Sequence, residues 1–175
     1  MAERAYDIYV GIDPDKDKSG VATYTRDSKE IRVDTLSFPE TLAYLSELQH
    51  KCRQNGMTML VVIEASWMIE NVSLHARWTD NKAIAAKKGY YVGINHEVGL
   101  LIREMCVWWN IPNVEQHPLR KCWNGKDRKI TQEELAAILD YNKIKGLKRT
   151  NQEGRDAALL ALCQDRKVVL FKKTR

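Results

Sequence analysis

The sequence predicts an α/β domain built on a mixed sheet, and three observations carry that expectation. Two β-type runs near the start are joined by turn residues and followed by a third alternating run, so the chain opens with antiparallel strands. Residues 59–66, MLVVIEAS, form a continuous apolar run ending in a charge, the pattern of a parallel strand buried on both faces. Segments with helical periodicity then alternate with the later strands, which places helices against the sheet.

In order, DIYVGI at 7–12 is a short strand ending at Asp13-Pro14. DPDKDKSG supplies the turn, GVATYTR resumes the strand, and Asp27-Ser28-Lys29 turns the chain into EIRVDTLSF, where Ile31, Val33 and Leu36 alternate with polar residues. Ser37 then caps a helix with Pro39 in its first turn, with Leu42, Leu45, Leu48 and Cys52 inward until Asn55-Gly56 stops it. Residues 67–91, rich in Trp, Lys, Asn and Tyr, read as irregular. A helix is expected from Asn95 to Asn110 with Val98, Leu101, Ile102, Met105 and Trp109 inward, then a short strand at 113–116. Thr131 with Glu134 makes a capping box for a helix through Tyr141, NQEGRDAALLALCQ reads as a largely buried helix, and KVVLF as a terminal strand or extended segment.

Composition narrows the function. With 175 residues, 44% hydrophobic and 29% charged, one domain spanning 1–175 is expected, and no metal or disulfide staple is needed to hold its core. The apolar runs are far shorter than the roughly 20 residues of a membrane-spanning helix. MAERAYD has no apolar stretch behind a basic start, which points to a reducing, cytoplasmic setting. Cysteines 52, 106, 122 and 163 show no metal-type spacing, and neither do His50, His75, His96 and His117. A net charge of +5 suits a polyanion partner, with basic clusters at Lys82, Lys87 and Lys88, at Arg120 to Lys129, and at Lys143 to Arg149. No Ser or Cys nucleophile neighbours a plausible base, which argues against covalent catalysis.

The acids are more specific. Sites in open α/β sheets form at the carboxyl ends of parallel strands. Asp13 and Glu64 end two such strands, while Glu153 and Asp156, three apart, share one helix face. If that face meets the strand ends, four carboxylates gather, a cluster that like-charge repulsion disfavours unless Mg²⁺ or Mn²⁺ neutralises it. Two such ions about 3.5 to 4 Å apart activate water in phosphodiester hydrolysis. Each acid also has an ordinary reading: Asp13 as a turn former, Glu64 as a strand-end charge, Glu153 as the capping-box partner of Thr150.

VGIDPDKDKSGVATY, VVIEAS and EGRDAALLAL, together with VGINHEVGLLI and VEQHPLRKCWNGKDRKITQEEL, resemble the RuvC-type Holliday junction resolvases of the RNase H-like, retroviral-integrase superfamily over nearly the whole chain. The resemblance implies an RNase H-like mixed five-stranded sheet with helices on both faces. It also implies a Mg²⁺-dependent endonuclease, with Mn²⁺ as substitute, that resolves four-way DNA junctions as a homodimer. Asp13, Glu64, Glu153 and Asp156 would be the catalytic metal ligands, and Arg120 and Lys129 would approach the DNA backbone. Trp67 stands where the family often carries an aromatic that wedges into the junction; its alternative is a core or interface ring. Lys121, Lys126, Lys148 and Arg149 complete the expected DNA-contacting set. Asp15 departs from the family's usual Gly, Glu153 stands where Asp is common, and the segment from Trp67 to Tyr91, with Arg77 and Trp78, is long. The alternatives are an RNase H-fold nuclease acting on other branched DNA or on RNA, and a binding module that has lost catalysis. An actin-like or sugar-kinase ATPase would need a second domain and phosphate-binding glycine loops.

Overall fold

The computed structural model describes residues 5–69, 79–120 and 122–170. Five strands, β1 (Ile8–Asp13), β2 (Ser19–Thr25), β3 (Glu30–Leu36), β4 (Met59–Glu64) and β5 (Asn113–Gln116), form one sheet in the order β3-β2-β1-β4-β5. β1, β2 and β3 pair antiparallel, whereas β4 lies parallel to β1 and β5 parallel to β4. This is the mixed five-stranded sheet, antiparallel at its opening edge, that is expected from the sequence.

Helices cover both faces. Alternation along β1 sends Ile8, Val10 and Ile12 to one side, where they meet Leu45 and Cys52 of α1 (Phe38–Gln54) and Ile102 and Cys106 of α2 (Lys82–Trp108). Tyr9 points to the other side, towards Leu135, Ile138 and Leu139 of α3 (Gln132–Asn142) and the apolar run of α4 (Gln152–Cys163). Asp13 has the parity of Tyr9 and Gly11, and Glu64 that of Leu60, so both acids project onto the α4 side.

The caps foreseen at Ser37 and Thr131 form as full capping boxes with Glu40 and Glu134. Four expectations need correction. Residues 82–91 are helical: Asn81 caps α2 by accepting from the Ile84 amide at 2.9 Å, and the helix formers Lys82, Ala83, Ala85, Ala86, Lys87 and Lys88 extend it thirteen residues ahead of Asn95. Leu101 faces solvent at 38% exposure, because the buried stripe of α2 runs through Gly99, Ile102 and Cys106 instead. Glu153 is no capping-box partner; Asn151 caps α4, accepting from the Gly154 amide at 3.0 Å. Residues 168–170 join no strand, although the Val169 amide donates to Asn142 Oδ1 at 2.9 Å. Arg77 and Trp78, with the rest of 70–78, Lys121 and Phe171 lie outside the described residues.

α4 lies on β1 and β2 at backbone distance. A Cβ on Gly11 would stand 2.1 Å from the Ala157 carbonyl oxygen, and one on Gly20 would stand 2.0 Å from that of Glu153. Gly20→Ala therefore forces the start of α4 off the sheet. We expect it to lower unfolding stability by about 1–3 kcal/mol or more, read as a lower urea midpoint with an unchanged slope.

Candidate active site

The parallel pairing of Ile12 with Ile63 sets Asp13 and Glu64 side by side at the same end of adjacent strands. Asp13 is the β1 partner of Gly20, the residue over which α4 begins, and so the first turns of α4 are brought to the same rim. Asp13, Glu64, Glu153 and Asp156 consequently line one cavity of about 480 Å³, whose wall also includes Asp15, Asn95, Arg120 and Lys129. The four acids that the sequence singled out are brought together from three elements.

Charge in this cavity is lopsided. Burial, then the neighbouring charges of Glu64 and Asp156, hold the Asp13 carboxyl well above the ordinary 3.8; Lys129 opposes the shift and Glu153 adds to it. Lys129 Nζ donates to Asp156 Oδ2 at 2.9 Å. Burial works against the lysine charge, but the bond to Asp156 and the fields of Asp156, Asp13 and Glu153 outweigh it and raise the Lys129 pKa.

Two residues that the sequence reading did not single out hold this pair in place. Gln152 Nε2 donates to Asp156 Oδ1 at 2.9 Å, an i,i+4 pair on α4 that helical spacing does make legible. Arg155 donates to Gln152 Oε1 at 2.9 Å, to the Thr150 carbonyl at 2.7 Å and to the Ile130 carbonyl at 3.0 Å, fastening α4 to the residue after Lys129. A third addition, Asn95, binds the β1–β2 loop: its Oδ1 accepts from the Lys16 amide at 3.0 Å and its Nδ2 donates to Asp15 Oδ2 at 3.3 Å. Eighty residues separate that pair, so no local signal announces it.

The expected DNA-contacting residues divide between places. Arg120 and Lys129 line the acidic cavity. Lys126, Lys148 and Arg149 line a neighbouring groove of about 960 Å³ that also holds Lys145. Trp67 lines neither. It lies in a 3₁₀ turn after β4, packs its ring over Gly99, meets His96 edge-on at 6.3 Å and donates from Nε1 to Glu115 at 3.1 Å, a geometry that favours the core role over the wedge. Lys121 lies outside the described residues.

Four carboxylates, with no soft ligand among them, suit a hard divalent cation in donor chemistry. As they stand, no group of three His, Cys, Asp or Glu side chains among the described residues is arranged to hold a metal ion. Lys129 and Gln152 both engage Asp156 in that arrangement, so the lysine ammonium supplies the countercharge.

No family model and no curated protein matches the chain. Solved structures similar to it in fold include two of RuvC and one of a virus resolvase. T. thermophilus RuvC in complex with Holliday junction substrate is 19% identical, with 89% of this chain and 90% of that chain covered at a TM-score of 0.47. A Thermus thermophilus RuvC structure is 14% identical, with 88% and 90% covered at 0.46. Fowlpox virus resolvase, in complex with substrate Holliday junction DNA, is 12% identical, with 89% and 95% covered at 0.42.

The raised Asp13 pKa has a definite sign. The native state keeps that proton to higher pH than the unfolded chain, so metal-free stability falls as pH rises from about 3.8 through the folded value. Asp13→Asn should flatten this slope and raise the neutral-pH melting temperature in EDTA. An Asp13→Asn protein that melts lower than the parent at neutral pH would show that the carboxylate is stabilising.

Proposed function

We propose that the chain is a Mg²⁺-dependent, structure-selective DNA endonuclease whose substrate is the four-way junction. The observation that carries this reading is the convergence of Asp13, Glu64, Glu153 and Asp156 on one cavity with Lys129 among them. A binding surface for a polyanion gains nothing from four buried-edge carboxylates, which repel phosphate, whereas hydrolysis of a phosphodiester needs acids of this kind.

Asp13, Glu64, Glu153 and Asp156 would hold the metal, Mg²⁺ or Mn²⁺ in its place, which supplies charge neutralisation and an activated water. The chain's own groups do the rest. Lys129, inside the cavity, offers a cation to the phosphate approaching the acids. Arg120, exposed at the rim, faces the incoming backbone. Lys126, Lys148 and Arg149, all exposed in the neighbouring groove, extend the basic track for a duplex arm. Gln152 and Arg155 keep Asp156 and the Lys129 loop in register. A reducing, cytoplasmic setting suits four unpaired cysteines, of which Cys122 is exposed. Among the described residues no helix is long and apolar enough to cross a membrane.

Labelled four-way junction, flap, duplex and RNA–DNA hybrid substrates, incubated with Mg²⁺ or Mn²⁺, test the reading. Junction cleavage is expected, with Asp13→Asn and Asp156→Asn reducing turnover by about a thousandfold or more while junction binding in EDTA stays within about threefold. Binding without cleavage of any substrate would make the chain a binding module; preferential cleavage of the hybrid would make it an RNA-directed nuclease.

Symmetric incision of a four-way junction calls for two sites, which a homodimer provides. The outward face of α2 supports one: Leu101, Val107 and Trp108 are exposed, Trp108 by 79%, while Trp109 beside it is half-buried in the core. Sedimentation should show a dimer at micromolar concentration that Trp108→Glu converts to monomer. A parent protein that sediments as monomer with and without junction overturns the dimer.

A further inference from the structure

We infer that Tyr90 and Tyr91 on α2, with Lys16 of the β1–β2 loop, form a stacking platform for an unpaired DNA base beside the acidic cavity. The inference rests on the nuclease reading above and adds to it a second contact site, one that the sequence left within an irregular segment.

Tyrosine is intermediate in burial between core and surface residues. These two lie on the surface side: Tyr90 is 66% exposed and Tyr91 41%, and their centroids stand 5.6 Å apart with the planes at 64°. Neither phenol belongs to a core cluster, so the pair contributes little to core packing, and Tyr90 is the more open of the two rings. Lys16 Nζ lies 5.5 Å from the Tyr91 centroid, a cation–π distance, and also reaches Asp17 at 2.5 Å.

Position ties the platform to the acids. The Lys16 amide is bound by Asn95, and Asn95 and Asp15 line the same cavity as Asp13 and Glu64. Tyr91 is four residues from Asn95, about 6 Å along the helix axis. A strand with one phosphate at the carboxylates therefore has its neighbouring nucleotides within reach of the rings. Aromatic faces accept any base, and a stacked base must first be freed from its own duplex, so the platform discriminates by strand structure and not by sequence. Trp67 cannot take this part while its ring is packed on Gly99 and its Nε1 is bound to Glu115.

The test measures binding, in EDTA to prevent cleavage, of single-stranded DNA carrying 2-aminopurine and of blunt duplex, by the full chain and by the variants Y90A/Y91A and Y90F/Y91F. Y90A/Y91A is expected to weaken single-strand binding about tenfold and abolish the 2-aminopurine fluorescence change, while duplex binding stays within about twofold. Y90F/Y91F, which keeps both rings, should match the parent. Unchanged single-strand affinity in Y90A/Y91A overturns the platform, as does an equal loss on duplex, or a change of sedimentation with no change of affinity, which would mark a protein interface. If the parent binds no nucleic acid at all, the nuclease reading fails and takes the platform with it; parent binding that is indifferent to Tyr90 and Tyr91 removes the platform alone.

Discussion

The closeness of α4 to β1 and β2 is the constraint on which the candidate site depends. Gly11 and Gly20 present bare backbone, and α4 answers with Ala157, Ala158 and Ala161, all fully buried. Helices that pack through larger side chains stand further off a sheet. Because α4 sits directly on the strands, residues in its first two turns come level with the end of β1. Two glycines and three alanines thus decide where Glu153 and Asp156 meet Asp13, although none of the five carries any chemistry.

That proximity is electrostatically unfavourable, and the fold offsets it locally. Burial and two close carboxylates push the Asp13 pKa up, and Lys129 works the other way from its bond to Asp156. The lysine is not left to find its own position. Arg155 donates from Nε to the Ile130 carbonyl and from Nη2 to Gln152 Oε1, so the residue that orients Asp156 and the loop that delivers Lys129 are tied to one side chain. A cluster of acids that is strained in isolation is the kind of local conflict expected where a sequence serves chemistry instead of stability.

What the sequence makes legible here is whatever has a short-range cause. The strands β1 to β4 announce themselves by alternation or by an unbroken apolar run, α1 by its Ser37 cap, Pro39 and leucine spacing, and α3 by its capping box, so the sequence places them within a residue or two. The first half of α2 is obscured in the sequence because Gly89, Gly93 and the adjacent tyrosines dilute its periodicity, even though Asn81 and the Ala-Lys run that follows are sound helix signals. Thr150 and Glu153 have capping-box spacing, but Asn151 lies one residue nearer and its side chain takes the Gly154 amide first. Leu101 reads as inward because three apolar residues crowd positions 100–102, and only contact with β4 and α1 selects Ile102 as the buried one. The bonds from Trp67 to Glu115 and from Asn95 to Asp15 span 48 and 80 residues and have no sequence signature.

The segment between β5 and α3 connects the acidic cavity to the basic groove. Asp127 and Arg128 both adopt left-handed backbone, at φ 54° and 59°, a costly conformation for residues with side chains. The surrounding bonds compensate: the Gly125 amide donates to the Lys129 carbonyl at 3.0 Å, the Arg128 amide to Gly125, and the Lys129 amide to Lys126. Glu134, already closing its own capping box, accepts from the Asn124 amide as well. A turn this tightly bound fixes the directions of the residues on it, and those directions diverge. Lys129 enters the cavity with the carboxylates, while Lys126, three residues earlier, lines the groove beside Lys148 and Arg149. On the proposed nuclease reading, one short loop presents a cation to the scissile phosphate and another to the flanking arm.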